Sequence, residues 1–369
     1  MDSKSTVQKL LSYADIALDG SRAFDPQVHD TSVYRDALWW GSLGLGDAYV
    51  AGKWDCDRLD EFFSRVLSAK LEHKVGMLAD GILWFRDKLL NLQSIQRALQ
   101  VGEHHYDLGN TLYERMLGNS MAYSSAYYGA GATALDEAQI AKFDLICKRL
   151  ELAPGMKILE IGCGWGTFAA YAAKKYGVHV TGVTVSKEQL AYAKDHCKGL
   201  SVEFYFGDYR TLPQEFQATF DRAVSVEMIE AVGPKNLRTY MSVVQTMLKP
   251  NGTFLVQAII GLGQPDVWIS TRIFPNGVLP SMSQITTSMQ NLFHIRDTEY
   301  FGSDYDRTLM AWDENFRANW NNLCELKDKD GAKLYNERFY RMWRYYLSVC
   351  AGSFRAKKID VCHLVLTRE

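Results

Sequence analysis

Up to about residue 92 the apolar side chains return at helical spacing. Val7, Leu10, Leu11, Ala14 and Leu18 share one face of a first helix, and residues 59–67 and 75–92 repeat the pattern. Between the first two lies GSLGLGDAYVAGKWDC (41–56), whose glycines predict turns and close backbone packing. No catalytic pattern occurs here, and residues 1–95 read as a helical accessory domain. Residues 102–128 are dense in polar and aromatic side chains. EHHYDLGN (103–110) and MAYSSAYY (121–128) are too polar for a core helix and predict a functional loop or lid. From 157 the period changes. Short apolar runs at 157–161, 179–183, 202–205, 222–226 and 253–259 alternate with helical stretches from about 168, at 187–196 and at 236–248. That alternation predicts a parallel sheet covered by helices. The pattern breaks at WISTRIFPNGVLPS (268–281), and two helices, about 306–323 and 335–352, precede a last strand at 361–367. The expected fold is α/β: a Rossmann-like methyltransferase sheet over residues 96–369, with a helical N-terminal domain.

Composition narrows the function classes. With 41 Lys and Arg against 43 Asp and Glu, the formal net charge of −2 gives no basic excess for nucleic acid. No apolar run approaches the ~20 residues of a spanning helix, and MDSKSTVQKL lacks the apolar stretch of a signal peptide. Seven scattered cysteines without a CxxC pair predict neither a disulfide framework nor a metal site, and they point to the reducing cytoplasm.

The strongest chemical signal is KILEIGCGWG (157–166). An apolar strand runs through Glu160 into Gly162-Cys163-Gly164-Trp165-Gly166 and then a helix. Glycines there let a ligand approach the backbone at the carboxyl end of the first strand. The spacing is GxGxG, without the third glycine three residues on that a dinucleotide site shows, and this favours S-adenosylmethionine. The second strand ends in GVTVSKEQ (182–189), offering Thr184 and Gln189 where many methyltransferases place an acidic residue for the ribose. After the third strand GDYR (207–210) places Asp208 to accept from an adenine amine; a helix or turn cap is the competing reading.

Together, GSLGLGDAY, EHHYDLGN, LEIGCGWGTFA, GVTVSKEQ, VGPKN, IFPNGVLP, TLMAW and YYLSVCAGSFRA resemble the cyclopropane-fatty-acyl-phospholipid synthase family, which includes the mycolic acid cyclopropane synthases. The resemblance spans nearly the whole chain. It implies methyl transfer from S-adenosylmethionine to the cis double bond of a phospholipid acyl chain, followed by proton loss and ring closure. It implies that Tyr123, Ser124, residues 158–166 (Glu160, Gly162, Cys163 and Gly164 among them), Thr184, Gln189, Asp208 and Tyr209 hold the cofactor, with His105 and Tyr106 in the lid. An alkene is a weak nucleophile, so close placement supplies much of the rate. A developing carbocation gains ~0.5–2 kcal/mol from each aromatic face. Tyr106, Tyr123, Tyr127 and Tyr128 are candidates, with ordinary packing the alternative for each.

The family's base is a bound bicarbonate, held by Cys, Glu, His, Ile and Tyr. Those positions fall on Ser125, Glu230, Gln257, Ile259 and Asp313, so only Glu230 and Ile259 match. Glu227 in SVEMIEAVG (225–233) stands where relatives usually carry glycine. Like charges at Glu227 and Asp313 disfavour a bound anion, and the expectation is that Glu227 replaces bicarbonate as the general base. A helix cap or a pairing with a cation is the alternative for Glu227. Moving the base leaves methylene- or methyl-branching open beside ring closure, and a silent lipid-binding homologue is the remaining alternative. Cys350 occupies a position proposed as catalytic in the family; the chemistry needs no thiol, and a buried structural role is preferred. Trp268, Ile269, Ile273, Phe274, Val278 and Leu279 line an acyl tunnel or touch the membrane, or else form a packing loop. Arg338, Arg341, Arg344, Arg355, Lys357 and Lys358 either meet lipid phosphate or form a solvated face. By analogy the protein is a homodimer, peripheral at the inner face of the membrane.

Overall fold

The computed structural model describes residues 2–74, 109–261, 266–275 and 277–368. The expected helix at 75–92 and the expected lid residues His105 and Tyr106 lie outside the described residues.

The chain forms two compact units. The first takes in Met1–Asn91, Gly263–Pro275 and Tyr305–Ile359, the second Leu92–Leu262, Asn276–Asp304 and Asp360–Glu369. Where the apolar pattern suggests a contiguous division at residue 95, the units are interleaved.

In the helical unit, α1 (Ser3–Ser12), α2 (Ser32–Val50) and α3 (Leu59–Ser68) are joined by a ribbon of β1 (Gln27–Val28) and β2 (Trp54–Asp55). A turn does follow at 51–53, with Gly52 at φ 75°, but over 41–50 the expected turns are replaced by helix: α2 runs through Gly44 and Gly46 and breaks only at Gly41, where φ is 55°. Close packing is the reason, since a Cβ at Gly46 would run into the Trp268 indole. Trp268 lies in the short helix Val267–Arg272, fully buried, with its ring centroid 4.4 Å from that of Tyr345. Ile273 is buried too, so neither Trp268 nor Ile273 is a membrane-facing side chain. The long helix Glu337–Arg355 turns Trp343, Tyr345, Leu347, Val349 and Phe354 inward. It approaches α3 closely at Gly352, where a Cβ would sit 2.6 Å from that of Phe63. Arg338 is exposed, and the helix's other three arginines are spent internally. Arg341 donates to the carbonyls of Tyr49 and Trp54 and pairs with Asp55, and Arg355 pairs with Asp60, Glu61 and Asp306. These side chains are not an open phosphate-binding set.

The second unit is built on a seven-stranded sheet in the order β5-β4-β3-β6-β7-β9-β8. Its strands are β3 (Lys157–Ile161), β4 (His179–Thr184), β5 (Val202–Phe206), β6 (Phe220–Val226), β7 (Leu248–Gly261), β8 (Phe293–Tyr300) and β9 (Ile359–Arg368). The strands from β5 to β7 are parallel, and β8 pairs antiparallel with β9. Period-two alternation sends Ile158, Val224 and Leu255 to one face, under Phe143 and Ile146 of α5 (Leu135–Arg149) and Phe168 of α6 (Thr167–Tyr176). Leu159, Ala223 and Val256 go to the other, under Tyr240, Met241 and Val244 of α8 (Leu237–Met247). The helix Lys187–His196, labelled α7, links β4 to β5. Strand order reverses between β3 and β6, so the crevice beyond their carboxyl ends is the expected ligand position. The supposed loop at 102–128 contains a helix, α4 (Asn110–Leu117), whose Leu112, Tyr113, Met116 and Leu117 are all buried. Flanking polar residues hide its apolar face in the sequence.

Phe254 is fully buried between the rings of Tyr240 and Phe293. Phe254→Ala is expected to remove about 3–5 kcal/mol of stability, read as a lower urea midpoint of the sheet unit.

Candidate functional site

Beyond the carboxyl end of β3 the chain turns through Gly162, Gly164 and Gly166 with φ of 82°, 53° and 79°. A Cβ at Gly162 would lie 2.8 Å from Met228 Cγ, whereas one at Gly164 would meet nothing within 4 Å among the described residues. The turn is thus closed on its sheet side and open above Gly164, which is what a ligand resting on backbone requires. Glu160, one residue before the end of β3, is buried and its Oε2 has no hydrogen-bond partner among the described residues. Burial pushes its carboxyl up to about 8, against the pull of Lys142. At the end of β4 the Thr184 hydroxyl donates to Gln189 Oε1, and Ser186 caps α7 by accepting from the Gln189 N–H. Asp208 takes the cap position: it accepts from the Arg210 N–H and is gripped by the Arg210 guanidinium at 2.7 and 2.8 Å. The Tyr209 hydroxyl is enclosed without a partner among the described residues, and burial pushes it up to about 12. Cys163 is buried with its thiol raised well above the ordinary value, so its part in the turn is steric.

The segment 121–128 is fastened to this turn. Tyr123 packs edge-on against Tyr113, Tyr113 lies 4.9 Å from the Trp165 ring, and Trp165 Nε1 donates to Asn110 Oδ1. Tyr127 donates its hydroxyl to Glu299 and sets its ring edge-on to Phe301, while Tyr128 is buried in a small cluster with Ala126 and Ala138. Tyr127 and Tyr128 therefore have packing roles.

The residues that depart from the family's anion site meet one another. Glu227 follows β6 in a left-handed conformation with φ of 50°. Its Oε1 accepts from the Ser125 N–H at 2.9 Å and from Gln257 Nε2 at 2.7 Å, and its own N–H donates to the Gln257 carbonyl. Ser125 and Gln257 are fully buried. Glu230 Oε1 accepts from the Ile259 N–H at 2.5 Å, and its Oε2 is enclosed without a partner among the described residues. Burial, with the Glu227 charge adding to it, holds the Glu230 carboxyl up at about 8. Asp313 belongs to the helical unit, where Arg344 and Arg317 take up its carboxylate at 3.3 and 2.9 Å. The resemblance gives Asp313 a place in a motif, but the pairing is decided by which cations the helices bring near. Cys350 also lies in the helical unit, half-buried, with desolvation pushing its thiol far up.

Two site groups escape sequence reasoning. Lys142 on α5 is completely buried, and its Nζ donates to Ser124 Oγ at 2.6 Å. Burial pulls its ammonium down to about 7, and the Glu227 and Glu160 charges work the other way. The signal was available: Gln139, Lys142, Phe143 and Ile146 share one helical face, and a lysine on an apolar face needs a partner. His363 on β9 is the other, fully buried with Nε2 2.8 Å from Gln257 Oε1.

A carboxylate held by two donors, beside a backbone cradle at the sheet's switch point, is suited to accept a proton from a group placed over the cradle.

The family model for mycolic acid cyclopropane synthetase matches residues 93–364. The cyclopropane-fatty-acyl-phospholipid synthase of Escherichia coli is 48% identical over 365 residues, covering 98% of this chain and 92% of that protein. The tuberculostearic acid methyltransferase UfaA1 of Mycobacterium tuberculosis is 30% identical over 391 residues, covering 97% and 87%. Among solved structures, mycolic acid cyclopropane synthase CmaA1 complexed with SAH and CTAB superposes with a TM-score of 0.66 at 29% identity, covering 73% of this chain and 98% of that one.

A carboxyl whose folded value is raised from 4.5 to about 8 binds its proton more tightly when folded. Its contribution is complete below pH 4.5 and is lost as pH rises through about 8. Glu230→Gln mimics the protonated form. Thermal unfolding from pH 4 to 9 is expected to show the variant gaining on the parent protein as pH rises, by on the order of 2 kcal/mol at pH 9.

Proposed function

The chain belongs to the mycolic acid cyclopropane synthetase family, and from that premise we propose that it moves the methyl of S-adenosylmethionine onto the cis double bond of a phospholipid acyl chain and closes a cyclopropane ring. It is an S-adenosylmethionine-dependent methyltransferase. The observation that carries the reading is the glycine turn, open above Gly164 among the described residues, at the switch point beside the buried Glu160 and the half-buried Glu227 and Glu230.

The residues present fit the cofactor. Gly162 and Gly164 give backbone access, the orphaned Glu160 oxygen is a ready acceptor, and Tyr123, Ser124, Thr184, Gln189, Asp208 and Tyr209 complete the candidate set. S-adenosylmethionine supplies an electrophilic methyl group. The alkene's π pair forms the new carbon–carbon bond, leaving a cation on the other alkene carbon. A proton then leaves the transferred methyl, and its bonding pair closes the ring.

We assign that proton to Glu227. The set does not fit a bicarbonate: Ser125 and Gln257, at two of its holding positions, direct their donors to the Glu227 carboxylate instead. A base fixed to the chain also supports a second outcome, in which the proton leaves a neighbouring carbon and the product is branched. Among the described residues no helix is long and apolar enough to cross a membrane. Peripheral contact with the bilayer and a homodimer remain part of the proposal, by analogy.

Monounsaturated phospholipid vesicles and S-adenosylmethionine, followed by mass analysis of the fatty acid esters, test the reading. One added methylene with the double bond lost is expected; an added methylene with the double bond kept means branching, and no methyl transfer overturns the function. Glu227→Gln is expected to lower kcat by ~10²–10⁴-fold. Activity of the parent protein should persist in carbonate-depleted buffer; collapse there, with recovery on adding bicarbonate, would remove the base role from Glu227.

A further inference from the structure

We propose that His363 is a positioning residue for the reaction, acting through Gln257 to fix the orientation of the Glu227 carboxylate. The inference rests on the assignment of Glu227 as the base. Three buried groups, His363, Gln257 and Ser125, and the half-buried Glu227 form one line of hydrogen bonds in the sheet unit. His363 Nε2 on β9 lies 2.8 Å from Gln257 Oε1 on β7. Gln257 Nε2 lies 2.7 Å from Glu227 Oε1 and 3.3 Å from the Ser125 carbonyl. The Ser125 N–H, 2.9 Å away, donates to the same Glu227 oxygen.

Donor and acceptor chemistry decides which end of the Gln257 amide faces which neighbour. The Ser125 carbonyl only accepts, and so does an ionised carboxylate. The NH2 end must face those two, which turns the carbonyl end to His363. His363 must then carry its proton on Nε2 and donate. Turning the amide over would set its oxygen against two acceptors and its NH2 group against an N–H, at a Gln257 side chain that is itself fully buried. Buried polar atoms left unmatched cost about 1–3 kcal/mol each, so the tautomer of one histidine decides the direction of the whole line.

The surroundings keep that tautomer in place. His363 is fully buried and sets its ring 4.9 Å from that of Phe301, edge to face. Burial, with the Arg149 and Lys142 charges adding to it, holds the imidazole neutral at physiological pH. Its Nδ1 has no partner among the described residues, so a second N–H there would have no acceptor. Among the described residues, the titratable groups coupled to Glu227 include Lys142 and Glu230, whose hydrogen bonds run to Ser124 and Ile259 rather than to His363. The line therefore reaches the carboxylate only through Gln257. Its effect is geometric: two donors on one oxygen set the plane of the base, and a displacement of about 1 Å at a reacting group costs on the order of 10²-fold in rate.

The test compares His363→Leu, which removes the donor, with His363→Gln, which keeps an N–H at similar reach, in the full chain on monounsaturated phospholipid vesicles. For His363→Leu we expect kcat to fall ~10-fold or more with KM nearly unchanged. The acid limb of its kcat–pH profile should move to higher pH, because a carboxylate that loses a donor holds its proton more tightly. His363→Gln should restore most of the rate. His363→Leu added to Gln257→Leu should cost nothing further, since both break the same line. Nitrogen-15 spectra of the parent protein should show an Nε2–H imidazole that does not titrate between about pH 5 and 9. A lowered unfolding temperature with kcat and its pH profile unchanged overturns the proposal, as does a loss that adds fully to that of Gln257→Leu. Glu227→Gln separates the two levels. If it keeps full kcat, the base assignment itself fails; if it is inactive while His363→Leu behaves as the parent, only the positioning role fails.

Discussion

One buried ammonium organises the site. Lys142 is fully enclosed, and the charges that compensate it belong to Glu160 before the glycine turn and Glu227 after β6. An isolated charge in that position would cost several kcal/mol, so the amine and the carboxylates must be buried together. The Glu227 carboxylate is in turn held by the Ser125 N–H and Gln257 Nε2. This requirement sets the position of α5 over the sheet. It also explains why Ser124 and Ser125 point their polar groups in opposite directions: the Ser124 hydroxyl receives the amine, and the Ser125 N–H goes to the carboxylate. Gln139, one turn before Lys142 on the same face, completes the clamp by donating to the carbonyls of Ala122 and Ser124.

The backbone at Glu227 carries the strain this arrangement demands. A left-handed φ costs a residue with a Cβ about 1–2 kcal/mol and costs glycine nothing. The conformation is not optional, since the Glu227 N–H is committed to the Gln257 carbonyl on the neighbouring strand. A glutamate persists there because its side chain gains two hydrogen bonds that a glycine would leave to other partners. Strain offset by specific contacts at a strand end is the pattern found where backbone geometry serves a site.

The sequence made the sheet legible because its strands are short, apolar and separated by clear helical periods. Strand β3 and helix α7 coincide with the apolar runs at 157–161 and 187–196. The glycine turn was legible for the same reason that it works: few side chains tolerate its φ values. What stayed hidden depends on partners distant in the chain. The glycines of α2 resemble turn residues until Trp268 is seen against Gly46. Arg341 and Arg355 look like a basic surface until Asp55 and Asp60 take them up. Asp313 sits in a recognisable motif, yet Arg344 and Arg317 absorb its charge. His363 lies in a near-continuous apolar run, VCHLVL, buried throughout, but nothing local names the Gln257 amide as its partner. Within Glu227, Gln257 and Ser125, sequence comparison located the departures, but only geometry joined them into one hydrogen-bonded group.

Tethering the base changes the physics of the last proton transfer. A dissolved anion must be captured, desolvated and oriented on each occupancy, and its effect falls with its concentration. A carboxylate on the chain is present in every molecule, and its desolvation is met once, during folding, by Lys142 and two N–H donors. The disadvantage is freedom lost: a tethered base cannot shift to follow the proton, so the bound acyl chain must present the right carbon to it. Selectivity between ring closure and branching then passes from the base to whatever aligns the alkene. That makes the direction of one carboxylate, and of the amide behind it, the quantity on which the product depends.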